Sequence, residues 1–495
     1  SIKLGIMNVL KVLFYRIFIK SIFAKLYFPE QIIFKENQSF FSPLKKKHVK
    51  KYSDNKTIEL ADEILDGQIT YYCFNPSKVG SPPNWFIDPF KNTHFKYFNK
   101  HWTKIETFNL VTGDIKNIWE PSRFNWLGTL VYAYKTTLSE KYIRTINFWL
   151  NDWIKQNPKN IGPNWICGQE ASIRVMNLIL AFEIHGSEYV SEDLIDILKI
   201  HLNRIAPTTF YAKAQNNNHG ISEGVALYLG GKLVFDHTQS AKYQTIHYKG
   251  LKLIENRIRS LILADGTFSQ YSVVYHRMVL DMLSVLELIR GRWSLKLLSK
   301  EFYKNVTKAL KWYESMIDPV SGGAPNFGGN DGTYLFNLDG KSYNDFTPSL
   351  LLASSIFNFP INPIFKNKHM LQTIFKKDQL YTNEKTSNCE SFLEGGYLKL
   401  TRKNGMLIFR FPKYKFRASN SDGHHIDVWQ DGINWVRDAG SFSYALDLNE
   451  QNQYSGTAGH STIQFDNRNQ MPRMSRFLFA DSLKLKLIEK DFSNF

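Results

Sequence analysis

The feature that most constrains this chain is a change in hydrophobic period near residue 390. Before that point apolar residues recur at three- and four-residue spacing, as Ile143, Ile146 and Leu150 do, which predicts amphipathic helices. After it they alternate, as in GGYLKLTRKNGMLIFRF, where Asn404-Gly405 is a strong hairpin signal. Because 495 residues suffice for two or more domains, the pattern predicts a mainly helical domain followed by a β domain.

The helical part consists of periodic segments joined by short links that carry Gly, Asn or Pro, without a strict sequence repeat. Such a succession predicts stacked helical hairpins. The segments are 143–154, 173–180, 190–205, 221–232, 243–264, 276–290 and 297–317, and further strands are predicted at 432–444, 460–467 and 482–490. We expect a basic N-terminal segment and linker at 1–57, a helical domain at 58–380 and a C-terminally incomplete β domain at 381–495.

The net charge of +17 favours polyanionic partners, namely nucleic acid, an anionic membrane or an acidic polysaccharide. No nucleic-acid recognition motif accompanies the charge, so we do not expect a nucleic-acid partner. Cys73, Cys167 and Cys389 lie far apart without a CxxC pair, which argues against a disulfide framework and a thiolate zinc site.

The N-terminal stretch 3–28 is apolar but is interrupted by Lys11, Arg16, Lys20 and Lys25. No uncharged run approaches the roughly 20 residues of a spanning helix, and a clean signal-peptide core is not visible. The pattern fits a basic amphipathic helix. Packing of that helix on the protein and peripheral contact with a membrane surface both stay open.

A polar run at 216–219, Asn-Asn-Asn-His, precedes Glu223 by one helical turn. Amide groups donate hydrogen bonds without carrying charge and can stabilise negative charge that develops on a carboxylate. A histidine titrates near neutrality and can accept a proton. The same run would also suit an Asn-rich helix N-cap with a structural histidine.

Two further clusters suggest chemistry. Tyr271 and Tyr275 are four residues apart, and a phenol can serve as general acid or base, although helical packing explains that spacing equally well. In the β part, SDGHHIDVW (421–429), VRDAG (436–440) and GTAGHST (456–462) bring His, Asp and His onto predicted neighbouring strands. Two imidazoles and a carboxylate suit zinc, while polar strand residues at a domain interface are the alternative.

Taken in this order, the clusters resemble the heparinase II/III family of polysaccharide lyases. The matching stretches are NWICGQEASIRVMNLILAF (164–182), NNNHGISEG (216–224), DGTFSQYSVVYH (265–276), HHIDVWQDGINWVRDAGSFSY (424–444) and YSGTAGHSTIQFDNRNQM (454–471). The resemblance covers roughly residues 85–495. It implies an incomplete (α/α) toroid followed by an antiparallel β-sandwich, with a cleft between the two.

The resemblance implies a carbon–oxygen lyase that cleaves a uronate-containing acidic polysaccharide by β-elimination. It assigns carboxylate neutralisation to Asn218, proton acceptance to His219 and acid–base work at the glycosidic oxygen to Tyr275. It also implies a structural zinc ion. The implied ligands are His425, Asp438 and His460, and the expected substrate contacts are Asn217, Glu223, Tyr271 and His424.

One position departs from the family pattern. Many members carry a further histidine where this chain has Gly423, and His424 is the residue that could substitute for it. Asp427 matches the pattern and is expected to support the metal site. The resemblance favours the cell envelope or periplasm, whereas the lack of a visible signal peptide leaves the cytoplasm open.

Two other functions stay open from the sequence. A toroid glycoside hydrolase would use a pair of carboxylates. The candidates for that pair are Glu170, Glu223, Asp265 and Asp281. A non-catalytic glycan-binding or polysaccharide-assembly protein would retain the cleft without its chemistry.

Overall fold

The computed structural model describes residues 5–31, 35, 37–44, 55–106, 113–186, 188–383, 387–480 and 483. Residues 45–54 of the predicted N-terminal segment and linker lie outside these residues, as does all but one residue of the predicted strand 482–490. The helices in chain order are α1 (Ile6–Lys20), α2 (Ile22–Tyr27), α3 (Asn55–Leu65), α4 (Ile115–Ser122), α5 (Trp126–Thr137), α6 (Glu140–Gln156), α7 (Gly168–His185), α8 (Glu192–Ile205), α9 (Thr209–Ala214), α10 (His219–Thr238), α11 (Ala241–Leu261), α12 (Val273–Arg292), α13 (Lys300–Ser315), α14 (Thr347–Ile356), α15 (Met370–Phe375) and α16 (Leu448–Ser455).

The strands in chain order are β1 (Gln68–Tyr71), β2 (Asn75–Lys78), β3 (Ile87–Asp88), β4 (Thr93–His94), β5 (Cys389–Phe392), β6 (Tyr397–Arg402), β7 (Gly405–Arg410), β8 (Ile426–Gln430), β9 (Ile433–Val436), β10 (Arg473–Ser475) and β11 (Leu478–Phe479). The last helix before the main sheet ends at Phe375 and the sheet begins at Cys389. The predicted boundaries at 57 and 380 stay predictions. Over the described ranges, every helix is too short or too polar to cross a membrane.

The helical domain is a double layer of helices. The inner helices α5, α7, α10, α12 and α14 contact one another in succession, and α6, α8, α11 and α13 pack against them from outside. Nearly every residue of α7 and α12 is buried, whereas α6 and α8 bury one face. A helix that is apolar all round belongs in the interior, and an amphipathic one at the surface. All seven predicted helical segments fall on helices of this double layer.

Glycines allow the close approach of α10 and α11. A Cβ atom on Gly250 would lie 2.3 Å from the backbone nitrogen of Tyr228 and 2.7 Å from the carbonyl oxygen of Gly224. Since both neighbours are backbone atoms, neither can swing aside. The two helices can therefore pack this closely only because Gly250 has no side chain at their crossing.

The β domain is built on one antiparallel sheet in the order β5-β6-β7-β8-β9, with β10 and β11 as a separate ribbon. The predicted hairpin is confirmed as β6–β7. Its turn residues are Lys403 and Asn404, one position earlier than the sequence signal, because Gly405 already pairs with Arg402. Lys403 adopts the left-handed φ of +51° that such a turn needs.

Two strand predictions need correction. In the stretch 432–444 only Ile433–Val436 is a strand, and 460–467 contains no strand. Beyond Val436 the chain turns, and the Asp438 carboxylate accepts a hydrogen bond from the backbone nitrogen of Gly440 at 2.7 Å. Ser461 donates its backbone N–H to His425 Nδ1 at 3.1 Å instead of extending a ladder. In both stretches the polar side chains form hydrogen bonds with backbone groups, so their alternation with apolar residues does not mark a strand.

Polar contacts hold the two domains together. The Tyr271 hydroxyl accepts hydrogen bonds from the backbone nitrogens of Lys415 and Phe416, at 2.9 and 3.3 Å. Asp265 accepts from the backbone nitrogen of Gly395 at 2.8 Å. Both tyrosine and carboxylate come from the helical domain, so these bonds fix how the sheet sits over the end of the helices.

We expect Gly250→Ala to lower the free energy of unfolding by about 1–3 kcal/mol, the usual cost of overpacking a tight contact. Gly291→Ala is the matched control, because it is also a helical glycine and nothing lies within 4 Å of its added Cβ. That control should be neutral or stabilising by up to about 1 kcal/mol. Urea unfolding followed by circular dichroism measures both, and equal effects would contradict the close-approach argument.

Candidate active site

A cavity of about 720 Å³ lies where the helical domain meets the β domain. Residues of α1, α4, α7, α10 and α12 border it on one side, and Arg417, Tyr444 and Phe477 border it on the other. Aromatic side chains alternate with ionisable ones along the wall. A cavity of this size accommodates a ligand of several sugar rings better than a single small metabolite.

The N-terminus of α10 places Asn218 in the cavity wall. Asn217 Oδ1 accepts the backbone N–H of His219 at 3.1 Å, so the helix start is capped without the Asn218 side chain. Asn218 Nδ2 instead donates to Gln169 Oε1 at 2.9 Å. Its Oδ1 is buried and has no hydrogen-bond partner in the described part of the chain. A buried amide with unused capacity at a cavity argues for a polar ligand rather than for a simple cap.

His219 and Glu223 lie one turn apart on α10, and both border the cavity. Burial lowers the pKa of His219, while nearby Glu223 and Glu170 partly oppose that effect. Burial raises the pKa of Glu223 to about 8. At neutral pH the imidazole is therefore unprotonated and ready to accept a proton, and the Glu223 carboxyl is mostly neutral.

Tyr275 borders the same cavity from the start of α12. Its hydroxyl donates to Asp331 Oδ2 at 2.9 Å, and Lys116 Nζ lies 2.6 Å from the same carboxylate oxygen. Burial by itself would raise the pKa of Asp331, but Lys116 and the hydrogen bonds from Lys116 and Tyr275 bring it below its usual value. Burial and the adjoining Asp331 raise the pKa of Tyr275, so the phenol keeps its proton.

The cavity also holds a cation that carries no carboxylate partner. Arg417 is half-buried beside Tyr444 and Tyr275, and burial lowers its pKa. Among the described residues it forms no ion pair, whereas Lys116 and Arg123 in the same wall are neutralised by Asp331 and Glu170. A guanidinium group in this state suits an anionic group of a ligand.

The predicted metal ligands converge in the β domain. His425, Asp438 and His460 are buried, and one donor atom of each lies within 4.8 Å of the others. His460 Nδ1 is 3.1 Å from Asp438 Oδ2. Asp427, the predicted supporting residue, places Oδ2 3.7 Å from His425 Nε2 while its other oxygen accepts from the Trp429 indole at 2.5 Å.

The unpaired donor atoms of this cluster suit a divalent metal ion. His425 Nε2, Asp438 Oδ2 and both ring nitrogens of His460 are buried without a hydrogen-bond partner in the described chain. His425 Nδ1 is used by the Ser461 backbone, which leaves Nε2 as the free donor. Orphaned nitrogen and carboxylate donors that face one another are what a tetrahedral zinc site requires.

The structure brings most predicted site residues together. Asn217, Asn218, His219, Glu223 and Tyr275 all border the cavity. Two residues predicted to contact substrate do not, and both assignments need correction. Tyr271 is 1% exposed with its hydroxyl committed to the domain joint. His424 is exposed in the left-handed region, φ +62°, and stacks on Phe409 away from the cavity.

Sequence reasoning missed four cavity residues: Lys116, Asp331, Arg417 and Tyr444. Asp331 follows two glycines in GGNDG, a turn signal that marks a loop suited to a functional carboxylate. Tyr444 closes the fourth family-like stretch and could have been found there. Lys116 and Arg417 carry no local signal, because only the fold brings them to the cavity.

A double layer of helical hairpins is joined to an antiparallel sheet, and this polar cavity lies at the junction. The family description "Heparinase II/III N-terminus" matches residues 42–337, and "Heparinase II/III-like, C-terminal" matches residues 384–493. The chain belongs to the heparinase II/III family.

Curated relatives include the heparin-sulfate lyase of Pedobacter heparinus, 23% identical over 446 residues, which cover 86% of this chain and 60% of that protein. The heparin-sulfate lyase of Bacteroides stercoris is 20% identical over 395 residues, covering 71% of this chain and 54% of that one. The chain thus spans somewhat more than half the length of these relatives.

A crystal structure of heparinase III matches with a TM-score of 0.54 at 16% identity, covering 90% of this chain and 67% of that one. This likeness concerns the fold alone. It confirms the predicted fold class, an incomplete (α/α) toroid followed by an antiparallel β-sandwich.

The raised pKa of Glu223 predicts a pH dependence of stability. The carboxyl is neutral in the folded chain up to about pH 8 and ionises near 4.5 when unfolded, so its contribution is complete below pH 4.5 and is lost as pH rises towards 8. Glu223→Gln should remove this loss, by up to about 1.4 kcal/mol per pH unit. Urea unfolding at acidic, neutral and mildly alkaline pH measures the slope. Glu188→Gln, at an exposed carboxylate, should keep the slope of the unaltered protein.

Proposed function

We propose that the protein is a polysaccharide lyase that cleaves a uronate-containing, glycosaminoglycan-type polymer by β-elimination. The observation that carries this proposal is that an unprotonated imidazole, His219, and a protonated phenol, Tyr275, both border one cavity. The named relatives are heparin-sulfate lyases, which supports the substrate class.

In the proposed reaction His219 removes the proton from C5 of the uronate, and the C5–H electrons form a double bond to C4. The C4–O4 bond breaks, and Tyr275 gives its proton to the departing oxygen. No water is consumed. The negative charge that builds on the uronate carboxylate during proton removal is stabilised by the cationic Arg417 and by Asn218, whose Nδ2 would turn from Gln169 Oε1 to the carboxylate. These contacts lower the energy of that state more than that of the bound substrate.

Asp331 and Lys116 serve the phenol in this scheme. Without substrate, Asp331 accepts a hydrogen bond from the single Tyr275 proton and fixes the position of the phenol oxygen. That bond breaks when the proton passes to the departing O4. The charge of Lys116, 2.6 Å from Asp331, keeps the carboxylate ionised, and the phenolate that remains after proton transfer would lie close to that ammonium group. Tyr275 recovers its proton from solvent or from His219 before the next turnover.

The geometry does not favour the hydrolase alternative. Asp265 is bound to the backbone at the domain joint, and Asp281 is buried outside the cavity wall. Glu170 borders the cavity, but Arg123 holds both of its oxygens at 2.7 and 2.9 Å. Glu223 therefore lacks a free carboxylate partner within the described residues, and paired-carboxylate hydrolysis needs one.

We expect His219→Ala and Tyr275→Phe each to reduce turnover by about 10²–10⁴-fold, because each removes one end of the proton transfer. The assay follows the near-ultraviolet absorbance of the new C4–C5 double bond with heparan sulfate, chondroitin sulfate, hyaluronan and alginate. Tyr248→Phe, at a surface tyrosine 53% exposed, is the matched control and should keep full turnover. Full activity in both cavity variants would contradict the site assignment. Binding of polymer without any absorbance rise would favour the glycan-binding alternative.

We propose further that His425, Asp438 and His460 hold a structural zinc ion. When bound, the ion would tie the chain after β9 and the turn before β8 to the segment around His460. That role rests on the three converging buried donors described above. None of the three borders the large cavity, which supports a structural rather than a catalytic place for the metal.

Metal analysis of the purified protein should find about one zinc per chain. His460→Ala should lose that zinc and lower the Tm by several degrees, since the two remaining donors, on His425 and Asp438, would be buried without a cation. His424→Ala removes the neighbouring exposed histidine and should leave metal content and Tm unchanged. Metal-free wild-type protein with an undiminished Tm would rule out the zinc site.

A further inference from the structure

The two N-terminal helices present an unusually apolar outer surface. Ten large apolar side chains there are between 48% and 75% exposed. They are Ile6, Met7, Leu10, Leu13, Phe14 and Ile17 on α1, and Ile22, Phe23, Leu26 and Tyr27 on α2. Soluble monomers seldom leave so many contiguous apolar side chains in water unless the surface binds something.

Cations border this surface, and neither α1 nor α2 carries an acidic residue. At 3.6 residues per turn, Ile6, Leu10 and Ile17 fall on one side of α1, with Lys11 and Lys20 at the two edges of the apolar stripe. Lys25 adds a third ammonium group on α2, with the half-exposed Glu30 carboxylate 3.8 Å away. The first acidic residue of the sequence is Glu30, beyond both helices.

The opposite side of α1 is anchored to the protein. Tyr15 stacks on Tyr211 with ring centroids 3.8 Å apart and is 7% exposed. Asn8, Val12 and Arg16 border the large cavity. The helix is therefore held with its apolar stripe outward, and exposure of that stripe is a consequence of how the inner side packs.

We propose that the outer face of α1 and α2 docks on an anionic lipid surface, with the apolar side chains in the headgroup region and Lys11, Lys20 and Lys25 among the phosphates. A helix that lies in the interface has this pattern of apolar stripe and flanking lysines. Two copies of the chain that met through this face would bring their ammonium groups together, whereas anionic lipid neutralises them. A surface role also agrees with the helix being unable to span a bilayer.

Docking in this way has a consequence for the cavity. Because α1 has the lipid on one side and the cavity on the other, the cavity wall lies about one helix diameter, ~10 Å, from the membrane surface. The chain would then meet polysaccharide that is held at that surface. Lipid docking itself does not depend on the lyase reaction, so the two proposals can fail separately.

The test is co-sedimentation of the full chain with vesicles of phosphatidylglycerol and phosphatidylcholine, and with phosphatidylcholine alone. We expect binding to the anionic vesicles that weakens as salt is raised, because screening reduces attraction to the lysines. Leu10→Glu with Ile17→Glu should reduce the affinity at least tenfold. Leu297→Glu with Ile364→Glu, two apolar residues 70% and 54% exposed elsewhere, makes the same charge change and should bind like the unaltered protein.

A second variant replaces Lys11, Lys20 and Lys25 with Gln and leaves the apolar stripe intact. It should lose the preference for anionic vesicles. Absence of binding to anionic vesicles, or equal binding by the two double-Glu variants, would overturn the proposal. So would light scattering that shows a dimer dispersed by Leu10→Glu with Ile17→Glu, since the face would then join two copies.

Discussion

The ion pair between Lys116 and Asp331 is the interaction on which the candidate active site depends. It spans a distance of 2.6 Å between the start of α4 and the loop that faces the β domain. Because Asp331 stays ionised, it accepts the Tyr275 hydroxyl and sets its direction. With a neutral Asp331, the phenol would have no fixed acceptor, and the buried lysine would face the cavity as an uncompensated charge.

Burial at the domain junction then determines the protonation state of the remaining ionisable groups. The same desolvation lowers the pKa of His219, raises that of Glu223 and raises that of Tyr275. Each group is thereby held in its neutral form near pH 7. A neutral base and a neutral acid that border one cavity suit a reaction that removes one proton and delivers another. The hydrogen bonds of Tyr271 and Asp265 to the β domain hold the helical side and the β side of the cavity in a fixed arrangement.

The sequence predicts features that are determined by residues close together in the chain, and it does not predict contacts that only the folded chain creates. Helical period located seven of the nine described helices of the double layer and missed α5 and α14, and the Asn-Gly pair located the β6–β7 hairpin to within one residue. Tyr271 and His424 were placed wrongly because spacing shows which helix or strand carries a residue but not which neighbour it meets. Lys116 and Arg417 were missed for the same reason, since their chemistry exists only after α4 and the β domain have come together.

The central claim is that bond cleavage is an elimination and not a hydrolysis. Mass spectrometry on a defined heparan sulfate oligosaccharide tests it directly, because elimination adds no atoms to the substrate. The account predicts two products whose masses sum to that of the substrate, one of them carrying the unsaturated uronate. Products whose masses sum to the substrate plus one water would contradict it and would identify a hydrolase.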